Sequence, residues 1–227
     1  GYVWITRHQD VVKVLGDRDT FGVPFEIEMT ALGGGVNSTL GRDDAEHDLQ
    51  RRLIMSVIRS EDSERLAERA RHFATLLIKA SPGRIDAVRD LITRVATETC
   101  AEFMGVKIRD PDAFADWSIA VSRVLFADPY GDPTTREQAL YGASRIRDLL
   151  ARAVVEAKES PTDRHLIGRL VLAREAPEYA MVTNETLVSI CIGLIVGFVP
   201  TVTLAAGKML EEILSRPDVL SQACAYA

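Results

Sequence analysis

One uncharged stretch limits what this chain can fold into. It runs from Thr186 to Gly207 and reads T-L-V-S-I-C-I-G-L-I-V-G-F-V-P-T-V-T-L-A-A-G. Glu185 precedes it, and Lys208, Glu211 and Glu212 follow it. Such a run is long enough to cross a bilayer. It equally suits a helix buried on all sides in a large soluble domain. With 47% hydrophobic and 26% charged residues over 227 positions, the chain has an ordinary soluble composition and ample length for a core. That weighs toward the buried helix.

The stretch carries its own pattern. Ser189, Gly193, Gly197 and Thr201 recur every four residues and form a drifting stripe of small side chains. Something bulky and flat can approach the backbone there, or another helix can pack closely. Pro200 has no N–H, so the Val196 carbonyl loses its helical partner and a kink is expected.

The rest of the chain reads as helices. Tyr2–Thr6 alternates and is expected as a short strand. His8–Leu15 is expected as a helix, and Phe21–Arg42, with Gly33-Gly34-Gly35, as a long irregular loop of functional or mobile character. Asp43 or Asp44 caps a helix running to about Arg59. Further helices are expected from Ser63 to Ala80, to Met104 with Gly105 as cap, from Asp110, from Arg136 to Lys158, from His165 to Arg174, and through the uncharged stretch to Arg216. A last one starts at Asp218. Arg84–Val88 reads as a brief strand or a helix start. The pattern predicts one mostly-α domain over residues 1–227.

Charge and motifs exclude several functions. A net charge of −6 gives no general attraction to nucleic acid or an anionic membrane. Cys100, Cys191 and Cys224 form no C-x-x-C pair, so a reduced intracellular protein is expected. The first residues have neither the basic nor the apolar region of a signal peptide. No phosphate loop, dinucleotide fingerprint, zinc-protease helix or nucleophile elbow occurs, and the four histidines are too dispersed for a recognisable metal cluster. His47 and Arg51 lie one helical turn apart and together suit an anion through charge-assisted hydrogen bonds. A solvated surface pair is the plainer alternative.

Several segments, in order, resemble the cytochromes P450, especially the soluble bacterial type. Val3 to Leu15 is similar to that family's opening strand and helix B. D-D-A-E-H-D-L-Q-R-R-L-I from Asp43 is similar to the helix C motif D-P-P-x-H-x-x-x-R-R-L. Leu91 to Val106, closing in F-M-G-V, is similar to helix E. Ala113–Ala127 and Arg136–Lys158 match helices F and G in position, and Glu185–Arg216 matches helix I. The resemblance implies a P450-like fold of many helices around a long central helix, with a small β element near the N-terminus. It implies strand 1 and helices B to J, the haem-ligand half being absent. It implies a haem cofactor, with His47 and Arg51 pairing with the propionates and Val196, Gly197 and their neighbours passing over the distal face. The Phe21–Arg42 loop and the Asp128–Thr135 connection would border the pocket of a small apolar substrate.

Two departures qualify that picture. Helix I of the family usually reads A/G-G-x-acid-Thr-Thr/Ser. Here Val199 stands at the acid position, Pro200 at the first threonine and Thr201 one place later. Proton delivery needs a positioned acid or hydroxyl, so peroxide-dependent or rearrangement chemistry is expected in place of ordinary monooxygenation with a redox partner. The second departure is that the cysteine loop F-x-x-G-x-x-x-C does not occur in these residues, and the one E-x-x-R match, Glu68 to Arg71, lies well before the helix I segment. The expectation is a fragment of a cytoplasmic haem-thiolate oxidoreductase, with its iron ligand beyond Ala227. The rival is a non-catalytic helical binding or assembly protein derived from the same fold.

Overall fold

The computed structural model describes residues 3–225, and Gly1, Tyr2, Tyr226 and Ala227 lie outside the described residues. Ten α-helices carry the architecture. They are α1 (His8–Gly16), α2 (Glu26–Leu32), α3 (Ala45–Val57), α4 (Asp62–Ala80), α5 (Arg94–Met104), α6 (Pro111–Phe126), α7 (Pro133–Glu159), α8 (Leu166–Ala173), α9 (Asn184–Ser215) and α10 (Pro217–Ala225). A π-helical turn, Ala87–Thr93, leads directly into α5.

Local chemistry explains most boundaries. Asp44 accepts from the His47 N–H at 2.9 Å and starts α3. Asp110 does the same for α6 through Ala113, and Pro111 occupies its first position. Gly105 ends α5 at φ +82°, a conformation in which a side chain is strained. Thr183 caps α9, which then runs unbroken through Pro200.

The long helix α9 is the centre of the fold. It packs against α5, α6, α7 and the π turn. Leu187, Ile190, Ile192, Ile195, Val196 and Val199 are at most 1% exposed. Burying each such side chain contributes roughly 1.5–3 kcal/mol. One helix is thus long and apolar enough to cross a membrane, and its N-terminal half is enclosed by other helices of the same chain.

Two expectations are corrected. Residues 3–6 form no strand, and no strand occurs among the described residues. Val3 and Trp4 are nearly fully exposed, and an extended segment without a paired neighbour leaves its backbone groups to water. The small β element expected near the N-terminus is therefore absent there. Phe21–Arg42 is no open loop, because it holds α2 and a 3-10 turn, Thr39–Gly41, with Met29 and Leu32 buried in the core. Of the two readings of Arg84–Val88, the helix start holds: Asp86 caps the π turn that runs into α5.

Candidate functional site

The first part of the site is the start of α3. His47 is partly buried, and its Nδ1 lies 2.8 Å from the Arg42 carbonyl and 3.1 Å from that of Thr39. Two carbonyls at Nδ1 require a proton there, so Nδ1 donates and Nε2 is left for another partner. Arg51 follows one turn later, exposed and without a partner among the described residues.

The acids around this pair are already occupied. Arg42 holds Asp44 at 2.7 Å and Glu46 at 2.6 Å. Arg18 reaches Asp43 at 3.1 Å and Asp48 at 3.3 Å. The Asp44 carboxyl is held down at about 2, first by the hydrogen bond from Arg42 and then by the His47 N–H. All four carboxylates of the segment are thus committed, and the guanidinium of Arg51 is not. Sequence reasoning missed Arg18 and Arg42. Arg18 lies far from α3 in the chain, and no local spacing announces it.

The second part is α9, whose stripe divides in two. Ser189 donates to the Val36 carbonyl at 2.9 Å. A Cβ at Gly193 would meet Leu40 at 3.9 Å. The segment 33–41 therefore covers the upper half of the stripe. Its 3-10 turn touches both parts of the site, Leu40 facing Gly193 and the Thr39 carbonyl facing His47.

The lower half is open. Nothing lies within 4 Å of a Cβ built on Gly197, and Thr201, one turn later, is exposed. Leu204 continues this exposed face, which Lys208 closes one turn later. Val196 and Val199 point into the core. Phe198 stacks on Phe103 with centroids 6.4 Å apart, and Phe103 lies under the Arg169 guanidinium at 5.9 Å. The structure thus sets Gly197 and Thr201 on one open face, Val196 and Val199 on the packed one, and Pro200 partly buried between.

These residues fit part of a haem site. The free Arg51 guanidinium on α3 suits a carboxylate such as a propionate, and a glycine-opened, uncharged helix face suits a flat macrocycle. Cys100 and Cys191 suit no iron ligand. Cys100 and Cys191 are fully buried, and burial pushes the Cys191 thiol up to about 12 and Cys100 higher still. Both stay protonated, whereas ligation needs the thiolate.

The helical fold wraps around one long helix whose small-residue face is covered at Gly193 and open at Gly197. Known proteins share this fold. The chain is 28% identical over 220 residues to the erythromycin C-12 hydroxylase of Saccharopolyspora erythraea, matching 95% of this chain and 53% of that one. It is 29% identical over 233 residues to cytochrome P450-SU2 of Streptomyces griseolus, with 96% and 53% covered. The solved structure of cytochrome P450 TbtJ1 superposes with a TM-score of 0.77 at 23% identity, covering 97% of this chain and 56% of that one. No protein-family model matches. The chain is similar to cytochromes P450 along nearly its whole length and has the fold of part of one. It spans about half the length of the curated relatives it matches.

Proposed function

We propose that residues 1–227 are the N-terminal and central part, folded as a single domain, of a cytoplasmic haem-thiolate oxidoreductase that oxidises a small apolar substrate. It acts without a membrane span or nucleic acid. The observation that carries this reading is the division of the α9 stripe, which leaves Gly197 and Thr201 open while Val196 and Val199 anchor the helix in the core.

Haem bound there supplies the oxidising chemistry. The chain's own residues do the rest. His47 and Arg51 hold its carboxylates through charge-assisted hydrogen bonds. Gly197 leaves room for a flat ring against the backbone. Thr201 carries the one side chain between Val196 and Thr201 that holds an exchangeable proton. Its hydroxyl can orient a water or pass a proton at Oγ1. Val199 and Pro200 do neither, and this favours peroxide as oxidant, or a rearrangement, over reductase-driven monooxygenation.

Full-length protein containing these residues tests the proposal. Turnover with hydrogen peroxide is expected to exceed turnover with NAD(P)H and a redox partner. The reverse order would overturn the peroxide reading. A folded full-length protein that takes up no haem would instead favour a non-catalytic binding role for the same fold.

A further inference from the structure

A second site lies away from the α3 and α9 surfaces. The helices α6 and α7 approach closely where Gly142 meets the Trp117 backbone, and a Cβ on Gly142 would stand 3.0 Å from Trp117 Cα. Beyond that point, toward the start of α6, a cavity of about 750 Å³ opens between them. It shares no lining residue with α3 or α9. Its volume falls within the roughly 300–1,000 Å³ of small-molecule sites.

The lining is apolar at its base and carries four cations and three carboxylates around it. Ile108 and Leu149 lie at the base over the buried Phe114, and Trp117 lines one side. The Arg145 guanidinium lies 5.7 Å from the Trp117 ring. Two pairs of charges cancel, and Asp110 is committed as a cap. Lys107 meets Glu156 at 2.7 Å, Arg145 meets Asp148 at 3.8 Å, and Asp110 accepts from the Ala113 N–H at 3.0 Å as the cap of α6. Arg109 and Arg152 are left over, both exposed and without an acidic partner among the described residues.

Two free guanidinium groups above an aromatic-walled cavity match one ligand chemistry. A guanidinium fork pairs with a planar carboxylate, and an aromatic ring suits the Trp117 side. We propose that this cavity binds a small aromatic carboxylate, its ring against Trp117 and its carboxylate held by Arg109 and Arg152. The site is independent of the haem reading.

Calorimetric titration of the full-length protein with 4-fluorobenzoate tests it, with neutral 4-fluorobenzamide as control. Saturable binding of the acid is expected, and the amide should bind at least about tenfold more weakly. Arg109→Ala and Arg152→Ala should each weaken the acid by about tenfold, the effect of losing one charge-assisted hydrogen bond. Melting temperatures should not move, because neither guanidinium holds another part of the fold. Absence of saturable heat would overturn the proposal. So would unchanged affinity in both variants, which would place the ligand elsewhere.

Discussion

Asp44 both starts α3 and fixes Arg42, so its charge matters to the fold. Its carboxyl sits at about 2 against the ordinary 3.8. A lowered value means stability that is full above the ordinary value and lost as pH falls through the folded one. Asp44→Ala is expected to cost about 1 kcal/mol in urea unfolding near neutral pH, and the difference from the parent should shrink as pH falls below the ordinary 3.8 and vanish only below about 2. Gly197 behaves oppositely. Nothing lies within 4 Å of its missing Cβ, so Gly197→Ala should stabilise α9 by up to about 1 kcal/mol through helix propensity alone. Gly197→Phe should leave the helical circular dichroism intact and abolish haem uptake by the full-length protein. Retained haem in that variant would show that the open face is not where haem lies.

Among the elements, α9 is held in rotation by contacts on both sides. Phe198 stacks on Phe103, and Phe103 lies under Arg169, which meets Asp62 at 2.7 Å. Burial works against the charge of Asp62, but hydrogen bonds from Arg169 and Arg65 outweigh it and keep its carboxyl below the usual range. Arg169→Met leaves Asp62 with Arg65 as its remaining partner and should cost roughly 1–3 kcal/mol, measured as a loss of unfolding free energy. A change below about 1 kcal/mol would place the pair among ordinary surface bridges. Elements of this length were legible in the sequence. The uncharged run, its Thr183 cap and the Arg216-Pro217 stop located α9 almost to the residue. Shorter elements were not. The helix α2 has Phe25, Met29 and Leu32 at helical spacing, but seven residues beside three glycines give periodicity little to register. The start of α7 at Pro133 follows from the Asp132 cap, which a turn-rich reading of 128–135 concealed. The opening strand failed for the converse reason: its alternation is real, but pairing is a property of neighbours.

At the scale of the whole molecule, the C-terminal half of α9 leaves large apolar side chains bare. Leu204, Met209 and Leu214 are 60–68% exposed, the last two interleaved with Lys208, Glu211 and Glu212. Surfaces of this kind mark an interface. Residues 1–227 produced alone should bind a hydrophobic dye such as 8-anilinonaphthalene-1-sulfonate strongly, and the full-length protein should not. Equal dye binding would mean that nothing further covers α9. The site was half legible at this scale. His47, Arg51, Gly197 and Thr201 stand out by spacing. The pairing of every nearby acid with Arg18 or Arg42, and the cover of Gly193 by Leu40, arise only from chain segments meeting in space.

The central claim is that this fold carries haem with a thiolate supplied from outside these residues. The absorption spectrum of the reduced, carbon monoxide-bound full-length protein tests it most directly. The account predicts stoichiometric haem with the red-shifted band of a thiolate-ligated adduct. A folded protein without haem, or an adduct at the position of imidazole ligation, would contradict it.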